Sequence, residues 1–174
     1  MKVIIKKSLI TVLVLITFIL VFVAVFYYNS VNQKNQNDLQ HVASDYLHAY
    51  PLPAGWNKNP NLSDKYAAFQ LYNQRDYKEA IVNLKYTLVN NPEDNEVNFY
   101  LGICMLLTNE PRNAIREFNL IMNESENDSL INEAKWYKAL ALIKLDRIPQ
   151  AKRLLGELSS VDSKKLLEEI SVRN

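Results

Sequence analysis

The chain has one cysteine, Cys104, so no disulfide forms within it, and the cysteine count names no redox compartment. Glycine occurs only three times and histidine only twice. So little glycine argues against turn-rich β structure, and abundant Leu, Ala, Lys and Glu favour helices. No Gly-rich phosphate loop, Cys/His metal spacing or nucleophile elbow is present. No charge of one sign prevails: 20 Lys and Arg stand against 19 Asp and Glu, for a net charge of +1. Without a basic stripe, nucleic acid is not an expected partner. These absences predict a chain that is not an enzyme, carries no cofactor or metal, and has no small-molecule substrate.

What the sequence does have begins with a charge-free apolar run over 8–28. At 1.5 Å per residue, 21 helical residues span roughly 30 Å, the hydrocarbon thickness of a bilayer. Lys2, Lys6 and Lys7 precede the run, and the next cation is Lys34. The positive-inside bias predicts a cytoplasmic tail over 1–7, a transmembrane helix over 8–28, and the remainder on the outer, periplasmic or extracellular, side. A cleaved signal peptide has a similar start. However, its apolar stretch is usually about 7–15 residues long, and no small-x-small cleavage site follows here. The segment is therefore expected to remain as a single-pass anchor.

Residues 29–37 are polar and rich in Asn and Gln, as in a solvated spacer. From 38 the pattern becomes amphipathic, with Leu39, Val42, Ala43, Tyr46 and Tyr50 on one side of a helical wheel. Pro51 and Pro53 are expected to end that helix, and an irregular loop runs on to 61 with Trp56 as an anchor. His41, Asp45 and His48 share the opposite face of the same predicted helix. A solvated polar face accounts for them better than a metal site, because no second shell is in sight.

Three later stretches align: 66–84, 100–118 and 137–155. Each opens on a tyrosine (Tyr66, Tyr100, Tyr137), followed two residues on by Ala68, Gly102 or Ala139. Leu71, Met105 and Leu142 follow three residues later. Ala80, Ala114 and Ala151 stand fourteen residues after the tyrosine, and Leu84, Phe118 and Leu155 four further. Ala80 to Ala114 is 34 residues and Ala114 to Ala151 is 37, the extra three falling in the polar run 124–129. Over 62–159 this pattern resembles the tetratricopeptide repeat (TPR) family, and the chain looks like small membrane-anchored members of it from bacteria. The resemblance implies an all-α, right-handed superhelix of about three helix pairs over 62–161. Small residues let paired helices approach, and Pro92 matches the proline that closes a repeat. Several positions depart from the family pattern: Lys138 stands where a core Leu is usual, and Glu126 where a closing proline is. Ser63, Asp94 and Asp128 are candidate N-caps, and Pro111 and Pro149 fall in first turns. Residues 162–174 supply a capping helix, started by Asp162 or Ser163, with Leu166, Leu167 and Ile170 as its apolar face.

In the family's register, the first helices of the pairs line a concave face. The candidate protein-binding groove there is Phe69, Tyr72, Phe99, Ile103, Leu106, Trp136, Leu140 and Ile143. Leu62, Lys65, Glu96, Leu107, Glu133 and Lys144 lie in the same row. Lys65 is the one residue matching the family's carboxylate-clamping set, so a carboxylate clamp is not expected. Exposed together, these apolar side chains exceed what a soluble monomer tolerates, so something should cover them. Three arrangements are open: the chain's own Tyr46, Tyr50, Leu52 and Trp56, a partner helix or peptide, or packing between neighbouring helices. The resemblance implies a protein-interaction module, as an adaptor or assembly scaffold in an envelope complex. A regulatory or sensory subunit of a membrane enzyme or signalling partner is the alternative.

Overall fold

The computed structural model describes residues 2–56 and 63–172, with side chains from Val14 onward. The readings for Met1, for 57–62 with Leu62, for the side chain of Ser63, and for 173–174 lie outside the described residues. Eight helices and no strands make up the described chain. They are α1 Lys2–Asp45, α2 Ser63–Asn73, α3 Tyr77–Asn90, α4 Asn95–Leu107, α5 Pro111–Glu124, α6 Asp128–Lys144, α7 Ile148–Gly156 and α8 Val161–Val172. The chain divides into two units, Met1–Asp38 and Leu39–Asn174.

In the first unit, every large apolar side chain from Val14 to Val31 is exposed, up to 72% for Phe22. This helix is long and apolar enough to cross a membrane, a property that a signal sequence shares. The polar stretch 29–37, which reads in sequence as a spacer, is helical and exposed. It contains no Gly or Pro. Once a helix is nucleated on either side, adding each further residue costs little, so the helix runs through.

The second unit begins with the last turns of α1, where Leu39, Val42 and Ala43 are buried. The amphipathic helix stops at Asp45, not at the prolines, and residues 47–53 are irregular. Tyr50 precedes Pro51, which disfavours helical backbone at Tyr50, and the contacts described below hold the segment open.

From α2 to α8 each helix packs on its successor, and α4 also touches α6. The interior shows why small residues recur. Ala68, Ala80, Ala114, Ala139 and Ala151 are fully buried, in one core with the buried Leu84, Phe118 and Leu155. A Cβ on Gly102 would fall 2.7 Å from Cε1 of Phe118, closer than carbon atoms pack. The one pair with a bulky Phe thus has Gly where the other two have Ala. The connections α2–α3, α4–α5 and α6–α7 share one hydrogen-bond pattern. In it, the N–H groups of Asp76, Glu110 and Arg147 donate to Leu71, Met105 and Leu142 carbonyls at 3.0, 2.7 and 2.8 Å. Each turn places a non-glycine residue at positive φ: Arg75 (65°), Asn109 (64°) and Asp146 (59°).

Cap positions shift slightly from expectation. Asp94 caps α4, accepting from Val97 N–H at 3.0 Å. Asn127, not Asp128, caps α6 through Ser129 and Leu130 N–H. Ser160 Oγ accepts from Ser163 N–H at the start of α8, ahead of the expected Asp162 or Ser163. Runs of adjacent polar residues offer several caps, and the chain path chooses among them. Leu166 and Ile170 are fully buried under α8 and Leu167 is half-buried, closing the end of the helix row.

Candidate functional site

Helices α2, α4 and α6 lie side by side. The ring of Tyr100 meets Phe69 at 4.9 Å and Tyr72 at 5.1 Å, and Phe99 meets Tyr137 at 5.8 Å. Of the eight groove residues read from sequence, seven are buried: Phe69, Tyr72, Phe99, Ile103, Leu106, Leu140 and Ile143. Trp136 is half-buried. Phe99 is 1% exposed.

The chain itself is the cover. Tyr46, Leu47, Tyr50, Leu52 and Trp56 pack on this face as a strap following α1. The Tyr50 ring sits over Phe99 at 5.1 Å and against Tyr100 and Tyr137 at 6.3 Å each. Tyr46 meets Trp136 edge-on at 6.0 Å, and Trp56 stacks on Tyr66 at 5.7 Å.

Three hydroxyls, one from each of these helices, hold the strap by its backbone. Tyr137 donates to the carbonyl of His48 at 2.9 Å, Tyr72 to that of Tyr50 at 2.8 Å, and Tyr100 to that of Pro51 at 2.7 Å. An irregular segment over an apolar face must satisfy its carbonyls somewhere, and tyrosine offers an apolar ring with a donor at its tip. Burial raises the pKa of all three phenols above the ordinary 10.0, with nearby groups adding to it. They remain donors across the physiological range. In sequence Tyr72 falls in the candidate groove, whereas Tyr100 and Tyr137 stand out only as the first residues of aligned stretches. The available signal was chemical: a buried tyrosine in place of phenylalanine needs an acceptor.

Charged groups rim the face. Lys65 pairs with Asp94 at 2.9 Å and Glu96 at 2.7 Å. Burial alone works against its charge, but hydrogen bonds to Glu96 and Asp94 outweigh this and hold its pKa above the ordinary value. Burial pushes the Glu133 carboxyl up. Glu133 also borders an open cavity of about 380 Å³ with Trp136 and Asp162.

Other sequence candidates are not brought together. His41 pairs with Asp45 at 3.3 Å on the exposed side of α1, while His48 lies in the strap beyond the helix end. Among the described residues no group of three His, Cys, Asp or Glu is placed to hold a metal. Cys104 is fully buried, and burial pushes its thiol up to about 12. A thiol so protonated is a poor nucleophile.

The chain matches no family model, no curated protein and no solved structure.

Proposed function

We propose that this chain is a membrane-anchored helical-repeat module that binds protein. In this reading the helix pairs form a tetratricopeptide-like superhelix and α1 keeps the module at a membrane. The cytoplasm lies at the lysine-bearing N-terminus, and the repeats face the outer side. No catalytic role is proposed. The observation that supports the reading is the backbone recognition on α2, α4 and α6. Tyrosine hydroxyls that take carbonyls of an extended segment over an aromatic row constitute a peptide-binding surface, here engaged in cis.

That engagement also favours a second reading, a regulatory subunit. A partner using this face must first displace the strap, so its apparent affinity falls by the fraction of chains whose face is open. A partner held at the rim by Trp136 would leave the strap in place and fits the adaptor reading.

The test uses a labelled synthetic peptide of residues 48–56 and the full chain in mild detergent. Tyr50→Ala removes the ring that anchors the strap. The peptide should bind that variant saturably, bind the wild type at least tenfold more weakly, and lose affinity when Tyr100→Phe is added. Equal binding to all three chains, or to none, sinks the peptide-binding reading. Orientation is tested with a C-terminal reporter active only in the cytoplasm. Activity there would reverse the topology.

A further inference from the structure

A different set of residues carries a second site. Helices α5, α6 and α7 border an open cavity of about 280 Å³. Lys138, Arg147 and Arg153 line it together with the amides of Asn119 and Gln150, over an apolar floor that includes Leu142. Among the described residues, no carboxylate lines it.

Three cations around so small a space repel one another, and the structure does little to compensate. Lys138 is half-buried, and its ammonium donates to the thioether of Met122 at 3.7 Å, a weak acceptor. Burial, and then Arg147, push the Lys138 pKa down; Glu157 acts the other way. Yet Glu157 is already engaged, at 2.8 Å from Lys135.

The helix-pair architecture does not require these charges. At the position of Lys138 the α2–α3 and α4–α5 pairs carry Ala67 and Leu101. At the position of Arg147 they carry Asp76 and Glu110, and at that of Arg153 they carry Val82 and Arg116. Asp76 also caps its helix, accepting from Glu79 N–H at 3.4 Å, whereas Arg147 makes no side-chain cap for α7. A basic residue beside a helix N-terminus is unfavourable with the helix dipole as well. The α6–α7 pair thus has a cation at all three places, where the other pairs have apolar or acidic residues apart from Arg116, and this concentrates positive charge at some cost in stability. Such a concentration is expected where an anion binds.

The cavity is near the lower limit for small-molecule sites, roughly 300 Å³, which suits a compact anion. Two guanidinium forks and one ammonium match the tetrahedral oxygens of a phosphate group. We propose that Lys138, Arg147 and Arg153 form a binding site for a phosphate group, either free or at the head of an anionic lipid.

The full chain in zwitterionic micelles is titrated with inorganic phosphate, against chloride at equal ionic strength. In parallel it is placed in nanodiscs of phosphatidylcholine with or without phosphatidylglycerol. Melting temperature and calorimetric titration are the readouts. The comparison chain carries Lys138→Leu and Arg147→Glu, residue types that already occupy these places in the α4–α5 pair as Leu101 and Glu110, so it is expected to fold. Phosphate, phosphatidylglycerol or both should stabilise the wild type saturably, with affinity at least tenfold weaker in the double variant. A response to phosphate identifies a free anion, and a response to phosphatidylglycerol alone identifies a headgroup. No saturable response to either, or an equal response from the double variant, overturns the site.

Discussion

The apolar stretch of α1 and the apolar row on α2, α4 and α6 use the same residue types and meet opposite fates. Phe22 in the first is 72% exposed, and Phe99 in the second is 1% exposed. The row has a cover of its own chain, whereas the large apolar side chains from Val14 to Val31 are exposed. Apolar side chains therefore do not by themselves say whether a surface is core, groove or membrane face. What lies over them decides, and that is set by where the chain turns.

The largest expected effect separates the two regions directly. Phe99→Ala removes a ring packed against Tyr50, Tyr100, Phe118 and Tyr137, and large-to-small changes of this kind cost about 3–5 kcal/mol. Phe22→Ala should leave the second unit unchanged. Both tryptophans, Trp56 and Trp136, lie in that unit, so their fluorescence follows its melting alone. A comparable loss from Phe22→Ala would mean that the exposed stretch belongs to the same cooperative core.

The second test uses pH against the strap. A phenol whose pKa is raised on folding keeps its proton longer in the folded chain. Below the ordinary value of 10.0 both states carry the proton and stability is unaffected; above it the unfolded chain loses the proton first and folding weakens. The second unit should melt progressively lower as pH rises past 10, by at most about 1.4 kcal/mol per pH unit for each phenol. Tyr72→Phe with Tyr137→Phe should flatten that fall. An undiminished slope in the double variant would place the titrating groups elsewhere.

Much of this contrast was legible in the sequence and part of it was not. The spacing of the aligned Ala residues marks the helix pairs because close approach demands small side chains at fixed positions. The apolar row was visible for the same periodic reason, and Tyr50 and Trp56 were recognisable as apolar candidates to cover it. The end of α1 at Asp45 was not legible. Tyr46 and Tyr50 fit a helical period as well as they fit a strap, and the hydroxyl-to-carbonyl bonds that favour the strap join residues up to 89 apart. Cap positions were blurred in the same way, since Asn127 and Asp128 are adjacent and both are competent. The cations around the cavity at α5, α6 and α7 appeared in sequence only as a departure at Lys138, because Arg147 lies in the α6–α7 connection and Arg153 on α7.

The core behind the row can be sharpened at Gly102. Gly102→Ala should cost about 1–2 kcal/mol, an overpacking penalty reduced by the better helix propensity of alanine. The cause proposed is specific, the Phe118 ring 2.7 Å from the new methyl. Phe118→Leu recreates the Ala and Leu combination of the other two pairs, so in the Gly102→Ala background it should cost much less than in the wild type. Additive losses in that double-mutant cycle would mean that the methyl and the ring do not meet.

The smallest effect lies away from both apolar surfaces, in the turns that join paired helices. Left-handed backbone is costly for a side chain with a Cβ, least so for Asn and Asp, whose short polar groups bond locally. Arg75 at φ 65° has no such relief, whereas Asn109 at 64° and Asp146 at 59° do. Glycine removes the steric cost but loses more conformational freedom on folding, so the net change is small. Arg75→Gly should stabilise the second unit by about 0.5 kcal/mol, and Asn109→Gly by less or not at all. Neither change touches the strap, so the peptide of residues 48–56 should bind wild type and variant alike. Equal gains at Arg75 and Asn109 would show that side-chain intolerance is not what distinguishes these turns. A gain accompanied by tighter peptide binding would show instead that the α2–α3 turn is coupled to the covered face.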